Sequence, residues 1–178
     1  MKKLLLILLC LPMIGFGQVY IPDANFKAYL VGDSFINTNG DSEIQVSEAS
    51  AFVGDIQCQS LNISDLTGIE AFTALTYLNC GYNQLTTLDV SGATALYQLS
   101  CGDNQITSLD VSNNTYLTSL YCSYNQLTSL NVSGATSLTR LYCQSNQLTS
   151  LDVSGATALI ELDCTFNQLA SLDVRNGN

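Results

Sequence analysis

From Leu75 the chain reads LTYLNCGYNQLTTLDVSGATA (75–95), LYQLSCGDNQITSLDVSNNTY (96–116), LTSLYCSYNQLTSLNVSGATS (117–137), LTRLYCQSNQLTSLDVSGATA (138–158) and LIELDCTFNQLASLDVRNGN (159–178). Four units are 21 residues long, and the fifth stops at 20. The segment IQCQSLNISDLTGIEAFTA (56–74) is a divergent first turn, with Cys58 lying 22 residues before Cys80. Alternation at L-x-C is the period-two pattern of a strand, and no segment after residue 54 sustains a helical period. One such unit cannot bury its leucines alone. Stacking the units about 4.8 Å apart aligns like residues into columns and closes one long core. The pairs such as Leu88 and Val90 predict a second short strand on the far side of each turn. The Ser-Gly-Ala-Thr and Ser-Asn-Asn-Thr stretches supply tight turns.

The unit L-x-x-L-x-C-x-x-N-x-L-x-x-L-x-V resembles the leucine-rich repeat, with cysteine at the third leucine. The short period and that cysteine resemble most closely the internalin-like and related secreted bacterial leucine-rich repeat proteins. What the resemblance implies is a coiled solenoid with a parallel sheet on its concave side and short strands or turns on its convex side. It also implies a small helical cap in front.

The columns have structural readings. Cys80, Cys101, Cys122, Cys143 and Cys164, stacked in register, would hold their Cβ atoms about 4.8 Å apart, whereas a disulfide needs about 3.8 Å. No C-x-x-C occurs, so zinc is unsupported. Buried, reduced thiols packing as small hydrophobes are expected. Asn83, Asn104, Asn125, Asn146 and Asn167 form a second column, whose amides must find backbone partners in adjacent turns. Asp89, Asp110, Asn131, Asp152 and Asp173 form a third, facing outward on the convex side. It reads as a solvated ridge, or as a ridge lined with calcium. The sequons at Asn62, Asn113 and Asn131 are products of an Asn- and Ser-rich repeat.

The flanks differ in kind. Residues 1–17 (MKKLLLILLCLPMIGFG) carry Lys2 and Lys3, an apolar run too short to span a bilayer comfortably, and a small-x-small end. They read as a cleavable signal peptide. Cys10 lies inside the apolar run after Leu8 and Leu9, which argues against a lipid-anchored cysteine. The chain is thus expected to be secreted, periplasmic or on the cell surface, with no membrane span once the signal is removed. Residues 18–54 form the cap. Pro22-Asp23 opens a helix in which Phe26, Tyr29 and Leu30 share a face, and Ser47 can cap a second helix carrying Ala51, Phe52 and Val53. Between them, Asn37 to Glu48 resembles an EF-hand loop, with oxygen side chains at Asn37, Asn39, Asp41, Glu43 and Glu48. Asn37 stands where Asp is usual, and Ser42 where glycine is. Both a purely structural cap and a weak calcium site fit these residues. Residues 55–178 are the repeats. Beyond Val174 nothing resembles a capping repeat. The open end therefore predicts a fragment of a longer cell-surface protein, or edge-to-edge self-association.

Composition narrows the function. Of 178 residues, 15 are acidic and 5 basic, giving a net charge of −10, with no histidine and no tryptophan. A nucleic-acid partner lacks its electrostatic footing. Histidine-dependent nucleophilic or metal chemistry is excluded. Enzymes built on coils graft catalytic groups onto projecting loops, and five turns in constant register contain none, so no enzyme is expected. Columns that vary between turns are where recognition can reside. One reads Tyr77, Gln98, Ser119, Arg140, Glu161 and the next Asn79, Ser100, Tyr121, Tyr142, Asp163. A rim column reads Tyr82, Asp103, Tyr124, Ser145, Phe166. Exposed tyrosine favours binding surfaces, although tyrosine also suits strands. The candidate ligand-binding residues are Tyr77, Asn79, Gln98, Tyr121, Arg140, Tyr142, Glu161 and Asp163, on the concave face. The expected partner is a protein or a cell-surface polysaccharide. A structural or adhesive spacer, or an adaptor fragment, is the alternative.

Overall fold

The computed structural model describes residues 17–172 and 174. The signal-peptide reading of residues 1–17 therefore lies almost wholly outside the described residues, as do Asp173 of the acidic column and the final residues 175–178.

Six parallel strands form one sheet: β1 (Gly54–Gln57), β2 (Leu75–Asn79), β3 (Gln98–Ser100), β5 (Ser119–Tyr121), β7 (Arg140–Tyr142) and β8 (Glu161–Asp163). Each pairs with the strand one repeat away, so that Leu78, Leu99, Leu120, Leu141 and Leu162 are direct partners. This is the leucine-rich repeat solenoid. The divergent first turn joins it in parallel register through β1, with an irregularity at Gly54–Asp55. The far-side strands are less regular than the repeat suggests. There β4 (Ser108–Asp110) pairs with β6 (Ser129–Asn131), while the equivalent Leu88 and Leu151 lie in coil and Asp152 forms a single bridge.

The core is one continuous cluster running from Phe26, Leu30, Ile36 and Ile44 in the cap through the repeat leucines to Ala156. The six cysteines among the described residues are free, five of them buried. Burial pushes the thiols of Cys58, Cys101 and Cys143 up to about 12, and those of Cys80 and Cys122 well above the ordinary range. They pack as inert apolar groups. The asparagine column joins successive turns. Asn125 Nδ2 donates to Cys101 O in the preceding turn (3.0 Å) and to Cys122 O in its own (3.2 Å), and its Oδ1 accepts from Ile106 N (3.0 Å). Asn104 and Asn146 repeat the pattern.

One turn departs from the rest. Ser-Asn-Asn-Thr replaces Ser-Gly-Ala-Thr, placing Asn114 in the column of Ala93, Ala135 and Ala156. It is fully buried; its Nδ2 donates to Val90 O and Ala93 O, while its Oδ1 has no partner. Beside that alanine the preceding turn comes very close at Gly92, Gly134 and Gly155, whereas Asn113 takes this place in the departing turn. A Cβ on Gly134 would sit 1.9 Å from Ser112 O, and one on Gly155 2.1 Å from Ser133 O.

In the cap, α1 (Ala24–Gly32) is N-capped by Asp23, whose Oδ1 accepts from Asn25 N and Phe26 N, and whose Oδ2 accepts from Ser64 N and Oγ. One carboxylate thus starts the helix and ties the cap to the first turn. Tyr29 is half-buried, and its hydroxyl accepts from Gln57 N on β1. The second helix corrects the sequence reading. It spans Val46–Ala51, so the N-cap is Gln45 rather than Ser47; Phe52 is its C-cap and Val53 is exposed. The reason is Glu48, three residues past Gln45, whose Oε2 reaches back to accept from Gln45 N. Val46 N also donates to Gly17 O, pinning this register. Phe52 packs edge-on against Phe72 of the first turn, with ring centroids 6.1 Å apart.

Candidate functional site

The sheet register brings the varying columns together as their spacing predicts. Tyr77, Gln98, Ser119, Arg140 and Glu161 are successive partners, as are Asn79, Ser100, Tyr121, Tyr142 and Asp163. Strand alternation turns their side chains away from the leucine core. Ser119 is the exception: it is buried, because its short side chain lies below its longer partners Gln98 and Arg140.

Tyr121 and Tyr142 stack, with centroids 5.3 Å apart and planes 14° apart. Tyr142 Oη donates to Glu161 Oε2 at 2.7 Å, which raises the Tyr142 phenol above its ordinary range. Arg140 Nε lies 3.4 Å from the same carboxylate oxygen. Arg140, Tyr142 and Glu161 are thus joined, and the guanidinium charge is met locally. Asp163 Oδ1 accepts from Thr165 N and Oγ1, so it turns back toward its own loop. Tyr77, Asn79 and Gln98 lie at the other end of the sheet, half-exposed, with smaller residues between them and the tyrosine pair.

Two features escaped the sequence reading. First, every rim residue is left-handed: Tyr82, Asp103, Tyr124, Ser145 and Phe166 have φ between 54° and 57°. A side chain there costs about 1–3 kcal/mol. The stack enforces it, because Tyr82 N, Asp103 N, Tyr124 N and Ser145 N each bond to a carbonyl one turn on. The second is a recess of about 360 Å3 between the rim and the Asn79, Ser100 and Tyr121 part of the facing column. Its floor is Gly81 and Gly102, where later turns carry Ser123, Gln144 and Thr165. The signal was in the residue after each cysteine, another varying column.

The loop from Asn37 to Glu48 is internally bonded. Glu48 Oε1 accepts from Thr38 N, Thr38 Oγ1 and Asn39 N. Burial works to raise the Glu48 carboxyl, but these bonds and that from Gln45 N outweigh it and hold the group below its ordinary value. Asn37 is buried and donates to Val31 O and Asp41 O; Asp41 Oδ1 accepts from Glu43 N; and Glu43 pairs with Lys27 at 2.6 Å. The five candidate ligands therefore share one loop, in which each has a protein partner. Among the described residues no group of three or more Cys, Asp or Glu is placed to hold a metal. In the acidic column, Asp89, Asp110, Asn131 and Asp152 each accept from the backbone N–H two residues on, ordering the turn. A second recess, about 240 Å3, is lined by Asp65, Glu70 and Asp89, whose carboxylates likewise accept from backbone N–H groups. Among the described residues no helix is long and apolar enough to cross a membrane.

No protein-family model matches the chain. Over 73 residues it is 42% identical to Internalin J of Listeria monocytogenes, a stretch covering 40% of this chain and 8% of that protein. A crystal structure of an internalin from the same species superposes with a TM-score of 0.67 at 25% identity, over 88% of this chain and 46% of that one. A leucine-rich repeat protein of Leptospira interrogans superposes at 0.65 and 25%, over 69% of this chain and 33% of that one. The chain spans less than half the length of each of these proteins.

Proposed function

We propose that this chain, an internalin-like leucine-rich repeat solenoid with a cysteine ladder, is a non-enzymatic, secreted or surface-held binding module whose ligand sits on the outer, concave face of the six-stranded sheet. The observation that carries this reading is the stacked Tyr121–Tyr142 pair, locked to Glu161 and Arg140, on the columns that vary between turns. Two held rings offer large contact area with little ordering cost. The other columns are occupied in building the solenoid, and the internally bonded 37–48 loop favours a structural cap over a calcium site. A ligand screen of the purified chain against surface proteins and glycans tests the proposal. Tyr121→Ala with Tyr142→Ala should remove binding found for the parent, and persistence of that binding would place the ligand elsewhere.

A further inference from the structure

The recess beside the tyrosine pair is more specific than the face around it. Its floor lacks side chains because Gly81 and Gly102 precede the turns that carry Ser123 and Gln144 at the same place. Neither glycine has a positive φ. A Cβ on Gly81 would meet Gly102 O at 3.2 Å and Asn79 Oδ1 at 3.4 Å, far less severe than the contacts of Gly134 and Gly155. The backbone does not demand these glycines as it demands the others, and their effect is depth. At the end of the floor, Ser123 Oγ donates to Gln144 Oε1 at 2.6 Å and closes the recess.

The walls are aromatic. Tyr121 stands on the sheet side; Tyr82 and Tyr124, two turns apart and exposed, stand on the rim. Asp103 lies between them. Among the described residues the three phenol hydroxyls and the Asp103 carboxylate have no protein hydrogen bond, and Asn79 uses its Oδ1 for Gly81 N while its Nδ2 is uncommitted. A recess with flat apolar walls and several unspent donors and acceptors around them suits a ring that is apolar on its faces and hydroxylated at its edge. No basic residue lines it. With Asp103 in the recess and a net charge of −10 on the chain, an anionic ligand is opposed.

We infer that this recess takes a neutral pyranose ring, stacked on tyrosine and hydrogen-bonded by Asn79 and Asp103, so that the ligand of the proposed binding face is a neutral glycan. Its volume lies in the range of small-molecule sites, and the distance from Tyr82 to Tyr124, two strand spacings or about 10 Å, lets sugars on either side of the bound ring meet a phenol. The inference rests on the binding-face reading and goes beyond it in naming the ligand class.

The test is a calorimetric and NMR titration of the full chain with neutral oligosaccharides of glucose, galactose and mannose, beside sialylated and sulfated counterparts. Binding of a neutral member with shifts at Gly81 and Gly102 is expected, weakened at least tenfold by Gly81→Gln, which fills the floor, and by Tyr124→Ala, which removes a wall. Unfolding curves will identify a variant that fails to fold, and the other then decides. Preference for the sulfated or sialylated sugars, or neutral binding indifferent to both substitutions, would overturn the inference. A protein ligand lost with Tyr121→Ala and Tyr142→Ala, with no sugar bound, would overturn it while leaving the binding face intact. A neutral sugar bound away from both tyrosines and recess would overturn both.

Discussion

In β7 and just past it, Leu141 and Cys143 are fully buried, and Leu141 meets the same residue, leucine, in the turn before and the turn after. Arg140 and Tyr142, between and beside them, point outward and meet Ser119 and Tyr121 on one side and Glu161 and Asp163 on the other. In the interior, stacking enforces identity most strictly at the asparagines: each amide bonds to carbonyls of its own turn and the turn before, and its oxygen is the acceptor for a buried N–H of the turn before, which its loss leaves unpaired. Outside, no turn depends on its neighbour in that way. Sequence differences there are cheap, and the chain can place chemistry at a chosen turn.

The largest expected effect breaks the interior. Asn125→Ala would strand the buried Ile106 N and take one of two amide donors from each of the Cys101 and Cys122 carbonyls, and should destabilise the chain by about 3 kcal/mol in denaturant unfolding. Next is Gly134→Ala, whose Cβ would lie 1.9 Å from Ser112 O, with an expected loss of about 2 kcal/mol or more. Gly81→Ala, outside the interior rule, should change stability by less than about 0.5 kcal/mol. If the two alanines behave alike, the distinction between required and recess-forming glycines fails.

The cap should respond to acid. The folded Glu48 carboxyl titrates below its ordinary value, so its stabilisation is complete above pH 4.5 or so and is lost as pH falls through the folded value. Glu48→Gln should cost about 1–2 kcal/mol at neutral pH and flatten the acid limb of the stability curve. An unchanged limb would mean that other carboxylates, such as Asp23, dominate it.

A small effect sharpens the comparison most. Asn114 breaks the interior rule: it occupies an alanine column with an unpaired Oδ1. Val90 O and Ala93 O, to which it donates, also accept from Ala93 N and Leu96 N, so removing the amide strands neither. Asn114→Ala should therefore change stability by about 1 kcal/mol or less, against the large loss for the same substitution at Asn125.

How much was legible in sequence follows the same division. The sheet register, the thiol column, the asparagine column and the stacked tyrosines all come from counting in steps of 21, because stacked turns turn sequence period into spatial adjacency. The left-handed rim and the recess did not come that way. The sign of φ at Tyr82 or Tyr124 is imposed by bonds to the next turn, against local preference. The recess depends on what later turns have at the residue after cysteine. In the cap, one copy of each residue offers no register to count. The start of α2 was misplaced by two residues, since the reach of Glu48 to Gln45, and not the hydroxyl of Ser47, sets it.

The central claim is that the interior columns build the solenoid and the varying outer columns bind. Affinity for whichever ligand the parent chain selects, measured for Tyr121→Ala with Tyr142→Ala and for Thr128→Ala with Thr149→Ala on the opposite side, tests it most directly. The account predicts a loss of more than about 2 kcal/mol for the tyrosine pair, a hot-spot-sized effect, and little change for the threonine pair. Equal losses from the two pairs, or none from the tyrosines, would contradict it.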